Sequence, residues 1–254
     1  MIRKRTLGLW GFFLILCACE GLERNNPLDP RNPRSEQRRV TFVEAFVNDV
    51  TPFSPYALHA LDSLSSTFPR NHFIIVEHHV SSPSLVDAHA VPESADRYAI
   101  LATTARGVPD VIFNGSQFRL QGASSTRTAS LRYRAALQTT SSAITHFTIA
   151  ANKSVSATGI EINAAIARLG STRFSQFAVL AVVWEDLTTA GHHRVVRKTF
   201  SPEIFGGIEA GETKFVRFAA GVPGVREAAR LQAAVIIEQD NQTGKEVLQA
   251  ALAE

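Results

Sequence analysis

The stretch that most constrains the fold covers residues 40–68, VTFVEAFVNDVTPFSPYALHALDSLSSTF. Residues 40–47 are apolar and β-branched apart from Glu44, the pattern of a buried strand. Asn48-Asp49 is a short polar turn, and Thr51-Pro52-Phe53-Ser54-Pro55 follows it. Beyond it Ala57, Leu61, Leu64 and Phe68 recur at the spacing of one helix face. The unit reads as strand, turn, helix, with the turn at the carboxyl end of a strand, where α/β folds place ligands and chemistry.

The next elements extend that unit. Residues 72–80, HFIIVEHHV, read as a strand covered on both faces. Residues 92–105 predict a helix over part of their length, with Tyr98 and Leu101 on one face. Gly107-Val108-Pro109-Asp110 leads into a strand at 111–113, Asn114-Gly115 signals a hairpin, and 118–120 returns. Residues 124–140 predict a closing helix with Leu131, Ala135 and Leu137 as its apolar residues. From 143 onward the pattern changes to short apolar or alternating runs at 145–151, 160–169, 177–184, 193–200, 213–218, 231–238 and 247–252. Glycine-marked turns divide them, which predicts an all-β, immunoglobulin-like antiparallel sandwich.

The amino terminus reads as an address rather than as fold. Arg3-Lys4-Arg5 precedes an apolar stretch at 7–16, too short for a permanent membrane span. Leu16-Cys17-Ala18-Cys19 resembles a bacterial lipobox, with Leu at −3, a small residue at −1 and Cys at +1. Cys19 is the expected lipid attachment site, because Cys17 would put bulky Leu16 at the cleavage position. Residues 1–18 are then a lipoprotein signal peptide. Several acyl chains on Cys19 would hold the chain to a membrane. Residues 19–39, with Pro27, Pro30 and Pro33 and little apolar content, are expected to be a flexible tether.

Composition narrows the partners. At 45% apolar and 19% charged the chain is globular rather than disordered. Removing Arg3, Lys4 and Arg5 lowers Lys+Arg from 26 to 23, equal to the 23 Asp+Glu. No basic footprint for nucleic acid remains. Both cysteines lie in the leader, so the processed chain, lipidated at Cys19, carries no free thiol and no disulfide.

The strand leading into Thr51-Pro52-Phe53-Ser54-Pro55 and its helix resembles the opening of a thioredoxin-like domain. It is similar, more closely, to the thioredoxin-like bacterial lipoproteins of the Omp28-related type, in which C-x-x-C-P precedes the helix. On that pattern Thr51 and Ser54 stand at the two cysteine positions and Pro55 keeps the proline. Val108-Pro109 resembles the cis-proline loop. The segments 183–186 (VWED), 193–197 (HRVVR) and 245–251 (KEVLQAA) resemble the second half of such proteins, so the likeness covers residues 40–254.

The resemblance implies a thioredoxin-like domain at 40–142 and a β-sandwich at 143–254. It also implies a groove for a protein or peptide partner formed by Thr51, Pro52, Phe53, Ser54, Pro55, Val108 and Pro109, and a place in the cell envelope at the outer membrane. The redox chemistry of that family needs a thiolate to attack a disulfide and a second thiol to resolve the intermediate. A hydroxyl does neither. The expectation is a redox-inactive, non-catalytic binding or scaffold lipoprotein with no cofactor. The alternatives are an oxidoreductase relative with a partner-dependent redox role and a structural component of an envelope assembly.

Other constellations are weaker. His78 and His79 are adjacent on a strand and point to opposite faces, as would His192 and His193, so no metal site is expected from them. His59 and His89 stand apart from these. Glu44, alone in an apolar strand near the turn, could be a buried proton acceptor with a raised pKa; with no thiol to serve, it is expected to face a polar edge or to pair with a nearby cation. Thr51 or Ser54 as a nucleophile, with His59 as base, lacks any hydrolase signature.

Overall fold

The computed structural model describes residues 26, 29–69, 72–156, 159–187, 193–222, 224–242 and 244–254. The leader with Cys19, and residues 20–25 of the tether, lie outside the described residues. In chain order the elements are β1 (Gln37–Arg38), β2 (Thr41–Val47), α1 (Ser54–Thr67), β3 (Phe73–His79), α2 (Pro92–Leu101), β4 (Asp110–Phe113), β5 (Phe118–Gln121), α3 (Thr126–Thr140), β6 (Ile144–Thr145), β7 (Phe147–Val155), β8 (Ile160–Arg168), β9 (Phe177–Glu185), β10 (Val195–Thr199), β11 (Glu203–Phe205), β12 (Thr213–Ala220), β13 (Leu231–Asn241) and β14 (Gly244–Leu252).

The first half forms the expected strand–helix–strand, helix, hairpin, helix unit. β2 pairs in parallel with β3 and antiparallel with β4, and β4 pairs with β5. Odd-numbered residues of β2 and β3 (Val43, Ala45, Val47, Phe73, Ile75) face α1 and α3. Even-numbered residues face the other side, where Phe46 meets Tyr98 and Leu101 of α2. α1 buries Ala57, Leu61 and Leu64 as its spacing predicts, with Leu58 and Ala60 widening the stripe. α3 differs from expectation. It buries Ala129, Tyr133, Ala136 and Leu137, while Leu131 and Ala135 face solvent. Tyr133 decides its orientation, because its ring fills the space beside Phe113.

All seven runs assigned as strands after residue 143 are strands, and a short additional one, β11, lies beside β9. Their arrangement corrects the division into two separate domains at 142/143. One nine-stranded sheet runs through both halves in the order β14-β13-β9-β10-β3-β2-β4-β5, with β11 on β9. The seam is β10, antiparallel to β9 and parallel to β3. Without β10, β3 would present a bare row of backbone donors and acceptors. Instead Glu77 N–H donates to Arg194 O at 2.8 Å. A run of apolar residues shows that a strand is covered on its faces, but not which strand lies at its side. The sandwich layer is nevertheless present: the sheet β12-β8-β7 packs through Ile160, Ile162 and Ile166 onto Val179, Ala181, Val183, Val235 and Ile237 of β9 and β13.

The carboxyl-terminal part of the expected tether is also built into the fold. β1 pairs with β6, Pro30 O accepts from Gly170 N–H, and the buried Arg39 pairs with Glu246 at 3.0 Å. Proline content marks an extended backbone, and extended backbone serves equally as an arm laid over a surface.

The sheet curls until β14 meets the β4–β5 turn. Asn114 and Gly115 both have positive φ, at 50° and 69°. Ser116 N–H donates to Lys245 O at 2.5 Å and Val247 N–H to Asn114 O at 3.2 Å. A Cβ on Gly115 would stand 2.3 Å from Lys245 O, so the close approach requires glycine. The curl brings Phe42, Ile74 and Val76 against Leu180, Val182, Ile236 and Val247.

A buried ion set lies where these faces meet. Arg97 of α2 grips Glu44 of β2 with two hydrogen bonds, Nε to Oε1 at 2.8 Å and Nη2 to Oε2 at 3.0 Å. Its Nη1 donates to Glu238 Oε2 of β13 at 2.9 Å. All three residues are buried. Burial alone would raise the Glu44 pKa; the Arg97 charge and hydrogen bonds from His78 and Arg97 outweigh it and bring it down to about 2. Its folded pKa lies below the ordinary 4.5, so its stabilisation is complete above 4.5 and is lost as pH falls toward 2. Urea unfolding is expected to show Arg97→Ala less stable by about 3–5 kcal/mol, because two carboxylates remain buried without their cation. The acid loss of stability between pH 4.5 and 2 is expected to be smaller in Glu44→Gln than in the parent.

Candidate functional site

The carboxyl ends of β2 and β3 lie side by side, with Val47 opposite His79. β4 enters from the same end, with Asp110 opposite Phe46. This brings the turn after β2 and the segment before β4 to one end of the sheet. The Val108–Pro109 peptide there is cis. Pro109 O accepts from Gly122 N–H at 2.7 Å. Behind it, buried Asp110 accepts from Tyr98 Oη at 2.8 Å and from Arg119 Nε at 2.7 Å. Burial and the bond to Asp110 push the Tyr98 hydroxyl up to about 12, so it remains a donor.

Thr51 and Ser54 sit at the base of the turn, buried, with their hydroxyls 2.7 Å apart. The proton ledger of the pair is closed. Thr51 Oγ1 donates to Asn48 O at 2.9 Å, and Ser54 Oγ accepts from Asn48 N–H at 3.1 Å. With the Thr51 proton committed to Asn48 O, Ser54 supplies the proton between the two oxygens. Asn48 holds the turn, its Nδ2 reaching Val80 O and Leu85 O at 2.8 and 2.9 Å. Among the described residues, the hydrogen bonds of this network run from the two hydroxyls only to each other and to the Asn48 backbone. His59, on the exposed face of α1, is not part of it. Outward from the hydroxyls the turn is apolar: Val50, Phe53 and Tyr56 are 56%, 51% and 40% exposed, and Pro52 and Pro55 lie with them. Val108 is half-buried and Pro109 buried.

The two neighbouring histidines have opposite fates. His78 faces α2, stacked on Phe46 at 4.8 Å, with Nδ1 3.2 Å from Ser94 Oγ and Nε2 3.4 Å from Glu44 Oε1. Burial lowers its pKa against the pull of Glu44. His79 faces the turn, with Nδ1 2.9 Å from Asp87 Oδ2 and 3.3 Å from Asp49 Oδ1. Burial would lower its pKa too, but hydrogen bonds to Asp49 and Asp87 and their charges raise it to about 9. Asp87, against its own burial, is brought down to about 2 by His79 and by the N–H groups of Asp49 and His89.

Sequence reasoning located Thr51, Ser54, Val108 and Pro109, and their common position follows from the strand pairing. It missed Asn48, Asp87, Arg97 and Asp110 as partners. For Arg97 a signal was present, an Arg on the same buried face of α2 as Tyr98 and Leu101. A cleft of about 630 Å³ opens toward the other end of β3, walled by Asp62, Trp184, His193 and Arg194, and is separate from the Thr51 turn.

His79 ties stability to alkaline pH. Its folded pKa is raised above the ordinary 6.5, so its stabilisation is complete below 6.5 and disappears as pH rises through 9. Thermal melts are expected to show a fall in Tm between pH 6.5 and 9, and a smaller fall in Asp49→Asn, which removes one of the two carboxylates.

No family model matches the sequence, and no curated protein matches it. Among solved structures it is similar to HBP35 of Porphyromonas gingivalis, at 10% identity over 85% of this chain and 74% of that one, with a TM-score of 0.66. A protein from Agrobacterium tumefaciens, AGR_C_4864, matches 85% of this chain and 95% of its own at 17% identity and a TM-score of 0.52. A domain of the outer membrane lipoprotein Omp28 from P. gingivalis matches 43% of this chain and 88% of its own, at 13% identity and a TM-score of 0.32. The chain therefore shares its fold with HBP35 and AGR_C_4864 across both halves.

Proposed function

We propose that the protein is an envelope lipoprotein, anchored through acylated Cys19, whose thioredoxin-like half is a non-catalytic binding scaffold. The observation that carries this reading is the Thr51–Ser54 pair. The position at which the resembling family keeps a dithiol holds two hydroxyls bonded to each other and to Asn48. Oxygen at these positions forms no disulfide and carries no electrons to a substrate. What the turn retains is a shape: an apolar rim of Val50, Phe53 and Tyr56 beside the cis Val108–Pro109 segment. An extended protein or peptide segment suits such a rim, with backbone groups for register and aromatic side chains for contact. Among the described residues no helix is long and apolar enough to cross a membrane, so the lipid carries the anchoring in this reading.

A second reading, assembly through the later half, draws on β12. Among the described residues this strand pairs only with β8, and it shows an exposed Phe215. In-cell cross-linking would separate the two, since assembly contacts would map to residues 145–254.

In an insulin-reduction assay the protein is expected to show no rate above background; turnover comparable to a dithiol protein would defeat the scaffold reading. Cys19→Ala is expected to move the protein from the membrane fraction to the soluble one. A Thr51→Ala/Pro109→Ala variant is expected to lose capture of a partner in pull-down, and unchanged capture would remove the groove from the proposal.

A further inference from the structure

The end of the sheet that carries the hydroxyl turn holds a second grouping that the scaffold reading does not use. Asp49 comes from the turn after β2, His79 is the last residue of β3, and Asp87 lies in the loop before α2. One ligand atom from each lies within 4.8 Å of the others. His79 Nδ1 is 3.3 Å from Asp49 Oδ1 and 2.9 Å from Asp87 Oδ2. An imidazole nitrogen carries one proton or one lone pair in a single in-plane direction, so it serves one acceptor well. Here two carboxylates converge on it.

In a tetrahedral site with bonds of about 2.0–2.2 Å, neighbouring ligand atoms stand about 3.3–3.5 Å apart. The two distances from His79 are within a few tenths of an ångström of that edge. His79 and Asp87 are fully buried side chains, while that of Asp49 is 28% exposed. Asp87 is already aimed: its Oδ2 accepts from Asp49 N–H at 2.8 Å and its Oδ1 from His89 N–H at 2.8 Å. Backbone donors behind a ligating carboxylate orient it toward an ion. His89 stands beside the group, its ring edge-on to that of His79 with centroids 5.3 Å apart.

We propose that Asp49, His79 and Asp87 form a binding site for a divalent transition-metal ion of the zinc class, open on the Asp49 side. One imidazole and two carboxylates match the ligand preference of such ions. Magnesium and calcium favour all-oxygen shells, and copper(I) favours sulfur. The assignment stands on these three residues alone and does not depend on the scaffold reading.

The test is competition for zinc chloride between the purified full-length chain, carrying Cys17→Ser and Cys19→Ser so that no thiol competes for the ion, and a chromophoric chelator, paired with the visible spectrum of the cobalt(II)-loaded protein. One equivalent of zinc is expected to bind, with intense tetrahedral-type cobalt bands. Asp49→Asn keeps shape at an exposed position and is expected to weaken zinc by about tenfold or more. His79→Gln is expected to abolish the cobalt bands. Because His79 is buried, zinc-dependent thermal shift supplies a second measure: a given zinc concentration raises Tm more in the parent than in Asp49→Asn. No binding up to millimolar zinc overturns the proposal. So does equal affinity in the parent and Asp49→Asn, which would place the ion on unrelated surface histidines.

Discussion

Arg97 reaches from α2 into the seam between the two halves of the chain and shares its charge between Glu44 and Glu238. Each carboxylate is out of water, and each would be costly there without the guanidinium. The set therefore specifies as much as it stabilises. Glu44 is on β2, Glu238 on β13 and Arg97 on the helix between them, so the charges balance only when the sheet has curled and α2 has docked. Apolar packing of Phe42, Ile74 and Val76 on Leu180, Val182 and Ile236 supplies most of the driving force across the same seam. That packing tolerates small slips in register, and a bidentate Arg–carboxylate pair does not.

The curled sheet explains why the two halves form one body. β10 closes the edge of β3, the turn at Asn114-Gly115 seats on β14, and the arm at 29–39 lies across the second half. The first two join parts of one sheet across the 142/143 boundary. The end of the sheet bearing the Thr51 turn and Pro109 is thereby held on a rigid base, with Asp110, Tyr98 and Arg119 bracing the proline from behind.

His78 and His79 show how far one residue step alters chemistry in a strand. Successive side chains point to opposite faces. His78 meets an aromatic ring, a serine and a carboxylate already claimed by Arg97, and burial favours its neutral form. His79 meets two carboxylates and stays protonated well above neutrality. The Thr51–Ser54 pair makes the same point in another way. The turn after β2 carries two buried hydroxyls bonded to each other, which makes it a hydrogen-bonded lock.

Most elements were legible in the sequence, because strand and helix periods depend on near neighbours. The β2–turn–α1 unit, the hairpin at Asn114-Gly115 and all seven later strands follow from spacing and turn residues. The faces of α3 were misread, since Ala135 and Leu131 look as apolar as Ala129 and Leu137, and only the volume filled by Tyr133 picks the side. The absence of cysteine beyond Cys19 was a matter of counting. Lateral pairing was not legible: β3 reads the same whether its neighbour is solvent or β10. Nor were the partners of Glu44, His79 and Asp110, which come from segments far along the chain. The sequence by itself determined the local elements and the absence of cysteine beyond Cys19, because these depend on residue type and short-range order. The single continuous sheet, the Arg97 set and the meeting of Asp49, His79 and Asp87 were decided by tertiary structure, because distant carboxylates and cations become neighbours only when the sheet closes on itself.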